Sequence, residues 1–109
     1  MRLTSQQLKA FDEEGYLFLP DCFSDAEVAA LRRDAELIYE SGRPEVWREK
    51  SGAPRTAFAA HTYNDGFRLL GAHPRLVEPV EQLFGEKLYM HQFKVNAKAA
   101  FALSLYWCM

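Results

Sequence analysis

The first third of the chain carries two helix starts of the same design. Thr4 is followed three residues later by Gln7, and Ser24 is followed at the same spacing by Glu27. A hydroxyl at the cap and an amide or carboxylate three residues on satisfy each other's backbone N–H groups, which is the capping box. The pattern predicts one helix over about Ser5–Glu14 and a second that begins just after the second cap.

The apolar positions of the second helix recur at helical spacing, with charged residues between them. This periodicity predicts an amphipathic helix whose inner face carries Val28, Leu31, Ala35 and Ile38. The Ser-Gly-Arg-Pro segment at 41–44 predicts its end, with the glycine as the C-cap and the proline as the stop.

The segments around these helices are less regular. Residues 15–20 predict a helix stop followed by a short strand that a proline ends. Residues 44–54 are polar, contain Pro and Gly, and predict a loop that carries Trp47. Residues 55–63 fit a strand or a coil.

Two further helices are predicted in the second half. A short one begins at Asn64 or Asp65 and runs through Leu70. A longer one covers residues 73–85, introduced by a His-Pro pair and ended by glycine. Pro79 inside this pattern predicts either a kink or the true first turn.

The best strand pattern covers Glu86–Lys98, where side chains alternate with a period of two. A long strand is not stable alone, so the pattern predicts an α+β class whose sheet is incomplete. One face carries Leu88, Met90, Gln92, Lys94 and Asn96, and the other carries Tyr89, His91, Phe93, Val95 and Ala97.

Composition narrows the class of protein without identifying it. The 109 residues suit a single domain over 1–109, and 49% hydrophobic with 26% charged residues is ordinary for a globular protein. A net charge of -2 argues against nucleic acid as a partner. No secretory signal or membrane span is evident, so we expect a cytoplasmic protein. Reduced thiols at Cys22 and Cys108 are favoured over a disulfide.

Three segments, together with the order of the helices, carry a family resemblance. They read GYLFLP at 15–20, SDAEV at 24–28 and HQFKVNAK at 91–98. The chain resembles the N-terminal portion of the phytanoyl-CoA dioxygenase-like family, from about Leu3 to about Phe101. Members are Fe(II)- and 2-oxoglutarate-dependent hydroxylases of small molecules. The resemblance implies N-terminal helices and the first strands of a double-stranded β-helix (jelly roll), incomplete in this chain.

The resemblance also implies a site on the last strand, which lines the jelly-roll cavity in the family. It implicates Gln92 in binding substrate and Asn96 in binding 2-oxoglutarate, with Lys98 and Lys94 near the same pocket. A basic residue often faces the site at about the position of Arg55, where a guanidinium can bind a carboxylate. The alternatives are a solvent-exposed face of an edge strand, solvated lysines and a surface arginine.

The metal-binding motif of the family is absent from this sequence. None of His61, His73 and His91 has an Asp two residues later, and a triad of His91 with Asp65 and His61 has no motif to support it. We therefore expect a truncated domain whose residues 102–109 are a divergent tail. Because the iron ligands are not present, we expect it to be inactive.

A second hypothesis is a non-catalytic helical interaction or regulatory module that uses the two amphipathic helices and never binds iron. Reading the coding DNA beyond Phe101 in all frames discriminates the two, because only the first hypothesis predicts a His-x-Asp segment there. Under the first hypothesis, the intact enzyme binds a small molecule and neither nucleic acid nor a membrane. The isolated chain should self-associate through an open apolar face and an unpaired strand edge.

Overall fold

The chain folds as helices packed against a small antiparallel sheet, which confirms the predicted α+β class. The computed structural model describes residues 2–98, so the expected tail at 102–109 and Cys108 lie outside the described residues. In chain order the elements are α1 (Ser5–Glu14), α2 (Asp25–Glu40), β1 (Val46–Arg48), β2 (Pro54–Phe58), a 3-10 turn (Ala60–Thr62), α3 (Asp65–Gly71), α4 (Pro74–Phe84) and β3 (Lys94–Asn96).

Both predicted capping boxes are present. The Gln7 backbone N–H donates to Thr4 Oγ1 at 3.1 Å, and the Thr4 N–H donates to Gln7 Oε1 at 2.9 Å. Ser24 and Glu27 exchange the same two bonds at 3.1 and 2.8 Å. Helix α1 ends at Gly15, whose φ of 81° is a left-handed conformation that glycine adopts without steric cost.

The second helix departs from its prediction at both ends. Its C-cap is Ser41, and Gly42, with a φ of 72°, follows the cap rather than forming it. At the other end, Val28 was predicted to face inward but is 42% exposed. The core contacts only the later turns of α2, through Leu31 and Ile38 among others, so the first turn lies beyond the core.

The helices of the second half match their predictions closely. The Asn64 side chain caps α3 by accepting the Phe67 N–H at 2.9 Å, and α4 ends at Gly85 in a left-handed conformation. Pro79 lies buried inside α4, which begins at Pro74. The alternative that Pro79 marks the first turn is therefore wrong.

Two predictions for the chain before β2, one of a strand and one of a loop, were wrong. Residues 15–20 form no strand, because no partner strand lies beside them, and Tyr16 and Phe18 are 66% and 77% exposed. The segment predicted as a loop around Trp47 contains β1, which pairs antiparallel with β2. For segment 55–63 the sequence left a strand and a coil open, and the structure contains both. Strand β2 comes first, and the 3-10 turn begins after Ala59, which has a φ of 55°.

The last strand is much shorter than the predicted Glu86–Lys98. Strand β3 pairs antiparallel with β2, with Thr56 opposite Asn96 and Phe58 opposite Lys94. Beyond Phe58 the partner turns away, and only a bond from the Ala59 N–H to the Phe93 carbonyl, at 2.8 Å, extends the contact. The alternating pattern was correct, but the length of the ladder is set by β2.

The core lies between one face of the sheet and the helices. Strand order is β1-β2-β3, so β2 is central and supplies the fully buried Ala57. Among residues 2–98, every helix is too short or too polar to cross a bilayer. The buried cluster comprises Ile38, Tyr39, Ala57, Ala60 and Phe67, with Phe93, Val95 and Ala97 packed against it.

Candidate functional site

The second face of the sheet brings together side chains from all three strands. Trp47 of β1 and Asn96 of β3 both lie directly opposite Thr56 of β2, and Lys94 lies opposite Phe58. Directly opposed residues of antiparallel strands point to the same side of the sheet. We call this side, defined by these five residues, the open face.

Alternation along β3 separates the predicted site residues from the core. Gln92, Lys94, Asn96 and Lys98 are exposed, whereas the three residues between them are half-buried against the helices. Lys94 and Asn96 therefore lie on the side of the open face, and Gln92 and Lys98 are exposed just before and just after β3. Residues 87–98 contain these two lysines, Lys87 and no acidic residue. The local charge therefore favours an anionic ligand.

Arg55 does not join this group. It precedes Thr56 in β2, so alternation places it with Ala57 on the side that faces the helices. Its carbonyl accepts the Ala97 N–H at 2.9 Å, which extends the ladder towards the end of β3. The side chain is half-buried and has contacts of its own.

A hydrogen bond inside the open face links β2 to β3. The Thr56 hydroxyl donates to Asn96 Oδ1 at 3.0 Å. Thr56 is only 3% exposed, whereas Asn96 is exposed. This bond turns the oxygen end of the Asn96 amide towards Thr56, so the amide nitrogen lies at the end away from Thr56.

Aromatic rings form the other half of the open face. The Trp47 and Phe58 rings meet edge to face, with centroids 4.8 Å apart and an interplanar angle of 65°. Lys94 Nζ lies 5.6 Å from the centroid of Phe58. Sequence reasoning missed Trp47, Phe58 and Thr56 as site residues, because only the strand register shows that they share a face with Asn96.

A recess of about 290 Å³ adjoins the open face where β2 ends. The left-handed Ala59 turns the chain into the 3-10 helix and brings His61 to this recess. The His61 ring stacks at 5.0 Å on Phe93, and its buried Nδ1 has no hydrogen-bond partner among residues 2–98. The lining residues are Phe58, Ala59, His61, His91, Gln92, Phe93 and Lys94.

Tyr63 holds the end of β2 in place. Its hydroxyl donates to the Phe58 carbonyl at 2.9 Å, and the Arg43 guanidinium lies 4.1 Å from the centre of its ring. Burial raises the pKa of Tyr63, and the nearby charge of Glu45 raises it further. The phenol therefore stays protonated and donates this bond throughout the neutral range.

The described residues do not fit a metal ion. Within residues 2–98, no three His, Cys, Asp or Glu side chains lie close enough together to hold one. Asp65, a theoretical partner of His61 and His91, instead forms an ion pair with Arg68 at 2.5 Å. The open face can supply donors to an anion, but this part of the chain does not supply a ligand set for iron.

A second surface concavity, of about 620 Å³, lies away from the sheet at the end of α4. Its charged groups include the contact of the exposed Lys87 with the partly buried Glu81 at 3.4 Å. An ion pair of this kind at the surface is weak. The open face is the better candidate despite its smaller recess.

Comparisons with known proteins agree on one family. The family model described as Phytanoyl-CoA dioxygenase (PhyH) matches residues 11–103. The chain is 31% identical over 113 residues to an ectoine dioxygenase from Bordetella bronchiseptica, an alignment that covers 96% of this chain and 36% of that protein. It is 40% identical over 91 residues to an L-proline trans-4-hydroxylase from Streptomyces griseoviridis, covering 83% of this chain and 34% of that protein.

Solved structures give the same result for the fold. EctD from S. alaskensis with bound Fe matches with a TM-score of 0.77 at 30% identity, covering 86% of this chain and 35% of that chain. EctD from S. alaskensis with 2-oxoglutarate and 5-hydroxyectoine matches with a TM-score of 0.76 at 29% identity. The chain therefore spans about a third of the length of the proteins that it matches.

Proposed function

Because the chain belongs to the phytanoyl-CoA dioxygenase family, we propose that it forms part of an Fe(II)- and 2-oxoglutarate-dependent hydroxylase of a polar small molecule. The observation that supports the proposal is the alternation of exposed polar residues along 92–98, in which Lys94 and Asn96 share one face of the sheet. Exposed amides and lysines beside Trp47 suit a pocket wall, which combines apolar surface with a few polar groups.

We propose that the three strands belong to a jelly roll whose remaining strands cover the open face. Trp47 is 56% exposed on this face and adjoins the ring of Phe58, and an apolar patch of this kind can mark a surface that another part of the protein covers. The proteins that the chain matches are about three times as long, which leaves enough chain for a second sheet. In a closed barrel, inward side chains alternate with outward ones, as the residues from 92 to 98 do.

The roles that we propose for the polar residues are those that the family resemblance implies, and their donors and charges fit them. The Asn96 amide and the Lys98 ammonium would hold a carboxylate of 2-oxoglutarate, and Gln92 would bind the substrate. Arg55 remains a proposed substrate contact, although its guanidinium would have to reach past the end of β2. The bound 2-oxoglutarate would be the cosubstrate that is oxidatively decarboxylated to succinate when the substrate is hydroxylated.

Binding of 2-oxoglutarate tests this assignment directly. Titration of the uniformly ¹⁵N-labelled chain should shift signals of residues 92–98, and Lys98→Ala should weaken the apparent affinity about tenfold, as expected for losing one charged contact. Lys9→Ala is the matched control, because Lys9 is an exposed lysine on α1 whose ion-pair distance to Glu13 is 3.8 Å. Equal effects of the two substitutions would contradict the assignment.

We also propose that the 109-residue chain alone does not turn over, because its sequence contains no His-x-Asp pair. The chain supplied with Fe(II), ascorbate and 2-oxoglutarate should release no more succinate than a sample without protein. The L-proline hydroxylase among its relatives suggests small amino acids as trial substrates. Succinate release that depends on the chain and on iron would refute this second proposal without affecting the binding result.

A further inference from the structure

We propose that Thr56 is a positioning residue for ligand binding. Its buried hydroxyl holds the Asn96 amide so that both N–H donors of Nδ2 face the ligand, where they bind a carboxylate group. The inference rests on the proposed function, in which Asn96 contacts 2-oxoglutarate, and it adds a residue that no family motif in the sequence indicated.

The Thr56 hydroxyl has one hydrogen-bond acceptor among the described residues, the amide oxygen of Asn96. It lies in the central strand, directly opposite Trp47 on one side and Asn96 on the other, and is 3% exposed. A buried hydroxyl without a hydrogen bond is costly, so almost all are paired. The bond to Asn96 Oδ1 at 3.0 Å is the one that the Thr56 hydroxyl makes within residues 2–98.

This bond decides which end of the amide a ligand meets. A side-chain amide is planar and carries its acceptor oxygen at one end and its donor nitrogen at the other. When Oδ1 accepts from Thr56, Nδ2 must point away from the sheet, and it has no protein partner among the described residues. An amide that rotates freely would present its acceptor oxygen part of the time, and that oxygen repels a carboxylate.

The amide orientation matches the charge of the surroundings. Lys94 and Lys98 lie two residues before and after Asn96, so the side chains at 94, 96 and 98 present donors and positive charge. Carboxylates accept hydrogen bonds only, and preorganised donors bind them without the cost of reorienting. The β-branched side chain of Thr56 restricts rotation about its first side-chain bond, which keeps the hydroxyl in place.

The sequence provides a clean spectroscopic test. Asn64 and Asn96 are the two asparagines, so selective ¹⁵N-asparagine labelling gives two side-chain amide pairs. Asn64 is an internal reference, because its Oδ1 is already occupied by the Phe67 N–H at 2.9 Å. The experiment compares the unsubstituted chain with Thr56→Val, which keeps the shape but removes the hydroxyl, and with Thr56→Ser, which keeps the hydroxyl.

Two readouts are expected to move together. Without ligand, Thr56→Val should displace the side-chain amide signals of Asn96 and leave those of Asn64 in place, whereas Thr56→Ser should displace neither. With 2-oxoglutarate as the probe, Thr56→Val should weaken the apparent affinity about tenfold, the size of one hydrogen bond to a charged group, and Thr56→Ser should stay within about twofold. The dimethyl ester of 2-oxoglutarate, which lacks both carboxylates, should shift neither asparagine.

Unchanged Asn96 signals and unchanged affinity in Thr56→Val would overturn the proposal. If circular dichroism shows that Thr56→Val does not fold, Asn96→Asp decides, because the aspartate still accepts from Thr56 but presents a carboxylate where the donors were. Binding to Asn96→Asp should fall more than tenfold, and retained binding would overturn the proposal. If 2-oxoglutarate does not shift Asn96 in the unsubstituted chain, the proposed function fails, whereas the ligand-free spectra still decide whether Thr56 orients the amide.

Discussion

Replacing Phe93 by alanine tests the two-sided architecture on which the candidate site depends. Phe93 packs towards the helices, where its ring lies 6.0 Å from the ring of Phe67 and 5.0 Å from that of His61. Its sequence neighbours Gln92 and Lys94 are exposed on the other side. Phe93 therefore anchors the start of β3, and we expect its two neighbours to contribute little to stability.

The expected loss follows from the burial and the ring contacts of Phe93. Truncating a fully buried phenylalanine to alanine costs about 3–5 kcal/mol, so a half-buried one should cost roughly half, or about 2 kcal/mol. Losing the edge-to-face contact with Phe67 adds about 0.5–1 kcal/mol. The free energy of unfolding should therefore fall by about 2–3 kcal/mol, a large share of the roughly 5–15 kcal/mol that stabilises a typical domain.

Urea denaturation followed by circular dichroism measures this loss, and Lys94→Ala is the matched control. The cation–π contact of Lys94 with Phe58 lies at 5.6 Å on the exposed face, so its loss should cost less than about 1 kcal/mol. Because the two residues are adjacent, they share the same stretch of backbone. A larger loss for Lys94→Ala than for Phe93→Ala would mean that the open face is the buried one, and the site assignment would fail.

Three further predictions concern stability and association. Gln82→Met removes the two hydrogen bonds that the Gln82 amide exchanges with the Leu3 backbone, at 2.7 and 3.0 Å. In urea denaturation the free energy of unfolding should therefore fall by about 2 kcal/mol. The control Gln6→Met, on the exposed side of α1, should lower it by less than about 0.5 kcal/mol. The hydrogen bond from Arg75 lowers the pKa of Glu27 from 4.5 to about 2. The pair thus stabilises the fold above pH 4.5 and loses this contribution as the pH falls towards 2. The melting temperature of the unsubstituted chain should therefore exceed that of Glu27→Gln at pH 6, and the difference should vanish as the pH falls from 4.5 to 2. A difference that stays constant from pH 6 to 2 would contradict this. Sedimentation velocity should show concentration-dependent association of the isolated chain that Trp47→Ser weakens, and a monomer at all concentrations would refute it.

The sequence determined the elements whose signals are local. Both capping boxes were correct because each joins residues only three apart, such as Ser24 and Glu27. The period-2 alternation before Lys98 was also correct over the residues that lie next to the sheet. It separated Gln92 and Asn96 from the core-facing side chains, because alternation follows from the geometry of extended backbone alone.

Only the tertiary structure decided which segments pair and which face is covered. Thr56 and Asn96 are 40 residues apart, and nothing local to either one encodes their register. The apolar segment after Gly15 forms no strand, whereas the polar segment around Trp47 forms β1, because a strand exists only where a partner supplies its hydrogen bonds. The same dependence explains why the family resemblance made Asn96 a candidate, whereas Thr56, which donates a hydrogen bond to its amide, was not among the candidates.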